Sequence, residues 1–577
     1  MASPDAAGSK SAAGATEQPA EASKSIAAEC RRSTGYGSVD SQPFRAVPVV
    51  CWYILVVELC ERLSFYTISG SQEFFLEHIG FPLGRAGGLN ATMATLCSVL
   101  TIVVSWTADV GLGRYWTILA AGALYVLATA VTAVGAIPGR ESAVCYLTGV
   151  MGLLPLATAG IKANISNFGA DQYDDTDPAQ KIAQERFFSI FYGAINVGAT
   201  LSFGFFTTFA SNGGLGVPRP WGYAAAYGAM SACMLMAVGI FRHGRGGYFI
   251  APLQQRSAVA ALLGTLGAAA RSGVGRACAV CVGLGLLLAS IFLSVCKAMA
   301  PELGLASMVA AFLCAALGTL LVVLPCRCPS WLPSAAAASP QEAEDVRKFM
   351  SLLPMLFTGT LAFNALFNCM SVWYQQQACQ MDLRFSIISA QMQLSGSFFN
   401  IADCLAIIVA TPLVVAFVDP VLDANYSGLT WHARRFGIGM LIAITSVLIA
   451  GLMEIHRRDA PLLDMYSTCA PPGVKMSAMA GAWISVPYFL MGVAEIFTQP
   501  TLLHLAYSRS PPSMRTLAMA ASYFIAAVSS SIFSLLLAEM EAFLPDNLNQ
   551  GHLEYGYGAS MSIGVLFLLF FQSVLRE

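Results

Sequence analysis

The sequence predicts an all-α polytopic membrane protein: two six-helix bundles joined through an extra pair of membrane helices. Three observations carry this expectation. Apolar residues make up 56% of the 577, and mean hydropathy is +0.64. Charged residues are 11%, under half the roughly 25% of a globular chain, so water cannot be the main solvent. Fourteen apolar stretches approach or exceed the ~20 residues that cross a bilayer as a helix, and a helix satisfies its own backbone in lipid.

Residues 1–43 are rich in Ala, Ser, Gly and Glu and have no apolar run, so they read as a disordered cytosolic tail and not a signal peptide. A first bundle is predicted over 44–242, with spans at 49–75, 88–108, 115–137, 143–168, 187–209 and 223–241. Residues 243–341 read as a cytosolic linker holding two further spans, at 278–297 and 302–325. These two carry no buried charge and read as a peripheral hairpin. The Ala/Ser/Pro stretch 329–341 and the charged run Glu342 to Lys348 lead into a second bundle over 342–577. Its spans fall at 350–378, 389–417, 435–455, 479–505, 514–538 and 557–574.

Charge sets the orientation. With the N-terminus in the cytosol, 21 of the 31 Lys and Arg lie on the cytoplasmic side, 8 outside, and two, Arg62 and Lys162, within spans. This positive-inside bias predicts that both termini are cytosolic. Arg457 and Arg458 are an outward-facing pair against the rule. The net charge of −2 says nothing about partners, and no nucleic-acid-binding pattern is present. The sixteen Cys lie mostly in spans without repeated Cys-x-x-Cys spacing and read as small buried apolar side chains. Cys379 and Cys469 both fall near the outer side, where a pair could form.

The first span carries three charges in five positions, Glu58-Leu-Cys-Glu61-Arg62. Charge at the middle of a membrane helix costs roughly 2.5–3.5 kcal/mol per residue and is kept where it faces a protected interior. Spacing of i, i+3 and i+4 puts all three on one face. The first helix thus points a proton-accepting and anion-binding face at something polar, and solute movement is the function class this favours. Two six-helix halves place such a site near the midplane between them. An enzyme is not indicated. Gly283-Leu-Gly285 lies in a span without the third Gly or flanking strand of a dinucleotide fold, and no phosphate-binding loop or cofactor motif is present. The acidic cluster Asp171, Asp174, Asp175 and Asp177 fails as a calcium loop, because Thr176 and Ile182 stand where Gly and Glu are required. It reads as a cytosolic salt-bridge and helix-capping element, and no metal site is predicted. The sequon Asn425-Tyr-Ser falls in a loop placed inside.

The string Glu58-Leu-Cys-Glu61-Arg62-Leu-Ser-Phe-Tyr66 resembles the signature of the proton-dependent oligopeptide transporter (peptide transporter/nitrate transporter) family of the major facilitator superfamily. Leu63 replaces its aromatic and Phe65 its first Tyr. A second string, Phe168-Gly-Ala-Asp171-Gln-Tyr-Asp174-Asp175-Thr-Asp177-Pro178 running on to Tyr192, Asn196 and Gly198, resembles the family's fourth-to-fifth helix signature. Asp109…Gly113-Arg114-Tyr115, Gly160-Ile-Lys162-Ala-Asn164, Glu344-Asp-Val-Arg347, Gly492-Val-Ala-Glu495 and Pro511-Pro-Ser-Met-Arg515 follow in family order.

The resemblance implies a major facilitator fold and a proton-coupled symporter importing di- or tripeptides by alternating access. Its partners would be protons, the solute and the lipid bilayer, in the plasma membrane or alternatively an internal one. It implies that Glu58 and Glu61 carry protons with Arg62 as partner or substrate contact. Lys162 would meet a substrate carboxylate and Glu495 the amino group, with Tyr66, Asn368 and Asp403 also on the substrate. Asp109 and Arg114 would gate. The sequence also departs from the family. Asp403-Cys404 stands where Asn-Pro is usual, Asn368 where many peptide carriers have an acid, and Cys369 where Gln is usual. Phe367 stands where a plant nitrate carrier has its ligating His, and His504 where plant members often have Glu. A carrier of nitrate or another small organic anion or metabolite, and a membrane sensor that binds without transporting, therefore stay open.

Overall fold

The structure is a computed structural model that describes residues 48–174, 177–253, 258–300, 302–333, 337, 339–384, 392–426, 428–540 and 543–576. The tail expected at 1–43 and two members of the acidic stretch, Asp175 and Thr176, lie outside the described residues.

The first bundle comprises α1 (Val49–His78), α2 (Leu83–Thr107), α3 (Arg114–Gly135), α4 (Leu154–Ala170), α5 (Pro178–Leu201) and α6 (Gly222–His243). After it come α7 (Ala258–Arg271), α8 (Gly275–Met299) and α9 (Leu305–Cys326). The second bundle comprises α10 (Pro340–Cys369), α11 (Ile401–Leu413), α12 (Gly428–Asp459), α13 (Ser485–Arg509), α14 (Arg515–Glu539) and α15 (Leu553–Arg576). Among the described residues, thirteen helices are long and apolar enough to span a membrane. The charged α1 is not one of them, yet its 30 residues reach about 45 Å. It is the fourteenth span, and its charges are buried.

Helices overrun the hydropathy limits because backbone hydrogen bonding continues past the lipid edge. Glu342 to Lys348, ahead of the span expected from 350, are already in the first turns of α10, which Ser339 caps by accepting from the Glu342 N–H at 3.1 Å. Large apolar side chains such as Leu405, Val409, Leu413 and Phe417 on or beside α11 are exposed, as befits a helix whose solvent is lipid. The α8–α9 hairpin lies against the second bundle, where Ser294 donates to the Ser531 carbonyl at 3.1 Å and Met308 packs on Leu535.

Three features were not anticipated. Helix α7 is amphipathic, burying Leu262, Thr265, Leu266 and Ala269 along one face. The loop after α12 carries a short antiparallel pair, β1 (Leu462–Tyr466) and β2 (Lys475–Ser477), the one strand pair among the described residues. The two arginines expected on the outer side against the charge rule are neutralised: Arg457 is fully buried against Glu454 (2.7 Å) and Asn549 (2.7 Å), and Arg458 pairs with Glu554 at 2.9 Å. Cys379 and Cys469 form a disulfide that ties this loop to the end of the span begun by α10.

Candidate functional site

The face of α1 predicted to be polar is buried: Glu58 is 2% exposed, Glu61 0% and Arg62 6%. Arg62 Nε lies 3.0 Å from Glu58 Oε1 and its Nη2 lies 2.6 Å from Glu61 Oε2. These are ion-pair distances, but the N–H vectors miss hydrogen-bond alignment, and Glu58 Oε2 and Glu61 Oε1 have no donor. The triad is therefore held by Coulomb attraction with lone pairs unspent. Close approach of α5 shapes the pocket. A Cβ on Gly198 would sit 2.9 Å from the Leu59 carbonyl and 3.0 Å from Arg62 Cβ, so only glycine lets the helices meet there.

Lys162 on α4 is partly exposed, within electrostatic reach of Glu58 and Glu61. Its Nζ stands 4.8 Å from the ring centre of Tyr523, across the interface on α14. Asn368 on α10 meets the same face of α14, since Ser530, seven residues beyond Tyr523, donates to its Oδ1 at 3.3 Å. Its Nδ2 is buried without an acceptor.

The second cluster belongs to the second bundle. Asp403 on α11 is 8% exposed and its Oδ1 has no donor. Its carboxyl lies against Gly492 of α13, where a Cβ would come within 2.7 Å of Oδ1. One helical turn on, half-buried Glu495 is close enough to interact electrostatically with Asp403. Tyr66 reaches across from α1, packs with Cys404, and lies within range of both acids. Tyr192 on α5 stands in the same field, and sequence reasoning had used it only as part of a motif.

Asp109 and Arg114 meet at 3.5 Å, but Arg114 is held far more closely by Asp171, at 2.6 and 2.8 Å to its two oxygens. Asp177 accepts from the Ala179 N–H at 2.9 Å and caps α5, the capping role expected of the acidic stretch. The predicted site residues thus fall into three groups: a triad with Lys162, an acid pair with Tyr66, and a peripheral Asp109–Arg114–Asp171 contact. Asn368 bridges to α14 apart from the acids.

The family model for the POT family matches residues 115–545 of this chain. The chain belongs to the POT family. Its similarity to Protein NRT1/PTR FAMILY 8.3 of Arabidopsis thaliana is 26% identity over 574 residues, covering 91% of this chain and 90% of the relative. Protein NRT1/PTR FAMILY 8.1 of the same plant is 27% identical over 554 residues, covering 88% and 89%. Among solved structures, the POT family transporter PepTSo superposes with a TM-score of 0.69 at 21% identity, covering 92% of this chain and 99% of that one. An auto-inhibited POT family peptide transporter gives 0.68 at 19%, covering 91% and 97%. This POT-family member therefore has the major facilitator architecture and is a multi-pass membrane transporter by family.

Proposed function

We propose that this protein is a proton-coupled symporter that imports di- and tripeptides by alternating access. The observation that carries the reading is that the two cations of the site, Lys162 and the Glu58- and Glu61-paired Arg62, lie in the first bundle, while the second holds only acids there, Asp403 and Glu495. A zwitterion suits that dipole, with its carboxylate on Lys162 or Arg62 and its amino group between the two acids. Each charge then finds its partner only when the bundles close on the substrate, so binding favours closure. A proton on Glu58 or Glu61 loosens the hold on Arg62 and frees it for substrate, which links proton and solute. Asp109 and Arg114, with Asp171, act at the cytoplasmic rim as a gate. The domain division at 44–242, 243–341 and 342–577 fits this rocking of two bundles about a common site.

Two carboxyls side by side in the second bundle argue against a bare anion such as nitrate. PepTSo and the auto-inhibited neighbour are peptide transporters or POT members by their descriptions, which supports the peptide class. The disulfide and the positive-inside count both support cytosolic termini, in the plasma membrane or alternatively an internal one.

The test uses proteoliposomes loaded with a pH-sensitive dye, an inward proton gradient and a mixed dipeptide pool. Peptide-dependent acidification that is lost in Glu61→Gln is expected. Silence towards peptides from folded protein would overturn the reading. Nitrate or another organic anion driving acidification would reassign the substrate, and binding without acidification would mark a sensor.

A further inference from the structure

The outer part of α1 holds a second acidic site that the triad does not explain. Gln72 and Glu73 are fully buried and Glu77 is 2% exposed. Asn90 of α2 donates to Glu73 Oε1 at 2.7 Å, and Gln375 and Gln376 from the second bundle approach the same carboxyl. Gln376 donates its Nε2 to the Leu83 carbonyl at 3.1 Å, while its Oε1 is buried with no donor. Glu73 Oε2, Glu77 Oε1 and both polar atoms of Gln72 also lack partners. The crossing is built for: at Gly87 of α2 a Cβ would lie 2.9 Å from Gln376 Nε2 and 2.7 Å from Val372.

No cation balances these acids among the described residues. The titratable groups facing them are Asp546, Tyr488 and Tyr223, and Tyr227 lies beside them through its 3.0 Å contact with Ser71. His78 lies beside Tyr223 with the rings tilted, Arg219 is felt at Tyr223, and Arg85 instead lies over Phe81. A carboxyl shut from water with no cation beside it persists as the neutral acid, and a neutral acid brings an O–H donor. The orphaned Gln376 Oε1 is an acceptor waiting for one.

The site lies on the seam between bundles. There Leu83 N–H donates to Asp546 Oδ1 (2.9 Å), Ser534 Oγ to the Gly88 carbonyl (3.1 Å) and Asn212 Nδ2 to the Gln393 carbonyl (2.7 Å). We infer that Glu73 and Glu77 form a second proton-binding site of the transporter, which must be loaded from the outer water before the outer seam can close. On closure each carboxylate takes one proton from that water and keeps it, and the neutral Glu73 donates a hydrogen bond to Gln376. On reopening the proton returns to the same side, so this site sets the pH at which the seam shuts without adding to net proton transport. The inference needs the bundle movement of the proposed symporter but not its substrate.

Hydrogen–deuterium exchange of the purified full chain, without substrate, tests it. Segments 68–90 and 370–380 are followed at about pH 5 and about pH 8, with intrinsic exchange corrected. Protection in wild type is expected to be at least about tenfold greater at the acid pH. Glu73→Gln/Glu77→Gln, whose amides mimic the neutral acids, is expected to stay protected at both. Wild-type protection that ignores pH overturns the inference, and that arm does not depend on any variant folding. So does a pH response retained in the double variant but lost in Asp546→Asn. Failure of peptide transport would leave this readout intact.

Discussion

The two ends of α1 handle the same problem in different ways. Nearer its N-terminus, Glu58 and Glu61 are buried beside a guanidinium at 3.0 and 2.6 Å. Nearer its C-terminus, Glu73 and Glu77 are equally buried beside amides and tyrosines. A guanidinium beside a buried carboxyl favours its charged form and opposes the push of burial towards the neutral one. A carboxyl among amides changes only by taking or losing a proton. One helix thus carries one acid pair with a cation partner and another with none among the described residues.

Arg62→Met should give the largest effect. It strands two buried acids, and breaking a buried pair costs about 3–5 kcal/mol. Thermal unfolding in detergent is expected to drop by several degrees with uptake abolished, whereas Glu77→Gln at the other end should leave stability nearly unchanged. Equal losses at both ends would break the comparison.

Reduction of the Cys379–Cys469 link comes next, at about 2–4 kcal/mol, because the bridge closes a long loop. Unfolding followed with and without reductant, beside a Cys469→Ser variant, should show the same loss in both. A loss confined to reductant would point to another cysteine.

Lys162→Ala is expected to weaken dipeptide binding about tenfold or more, the equivalent of one charge-assisted hydrogen bond of roughly 1.5–3 kcal/mol. Peptides blocked at the carboxyl end should bind wild type and variant alike. Calorimetric titration with free and amidated dipeptides separates these outcomes, and equal loss for both would remove Lys162 from carboxylate recognition.

The smallest effect belongs to the partly exposed rim. Asp171→Asn is expected to cost up to about 1 kcal/mol and Asp109→Asn less, because Arg114 is 2.6 Å from the former and 3.5 Å from the latter. Unfolding measured at low and high salt should rank them in that order, with the gap shrinking as salt rises.

Much of the architecture was legible because lipid imposes it. A helix needs about 20 apolar residues to cross, and that length is visible in any one stretch of sequence. Spacing alone also put Glu58, Glu61 and Arg62 on one face, and the face is buried as a unit. Hydropathy missed α7, whose apolar stripe is too short to register as a span, and it could not end α1 at His78. Glu73 and Glu77 carried a signal in principle, since they add two acids to the outer end of an apolar helix. That signal was ambiguous with an interfacial position, where acids cost little.

By itself the sequence determined the number of spans, their order, the side that collects basic charge and the presence of a charged face on the first helix. These are local properties, set by the free energy of moving each segment from water into lipid. Tertiary structure decided which charges meet. It gave Arg114 to Asp171 over Asp109, set Asp403 into the notch of Gly492 beside Glu495, laid Lys162 over Tyr523 and turned Arg457 inward onto Glu454. Those pairings depend on helices far apart in the chain approaching to within a side chain's length, and the distance between two helices is written in neither of their sequences.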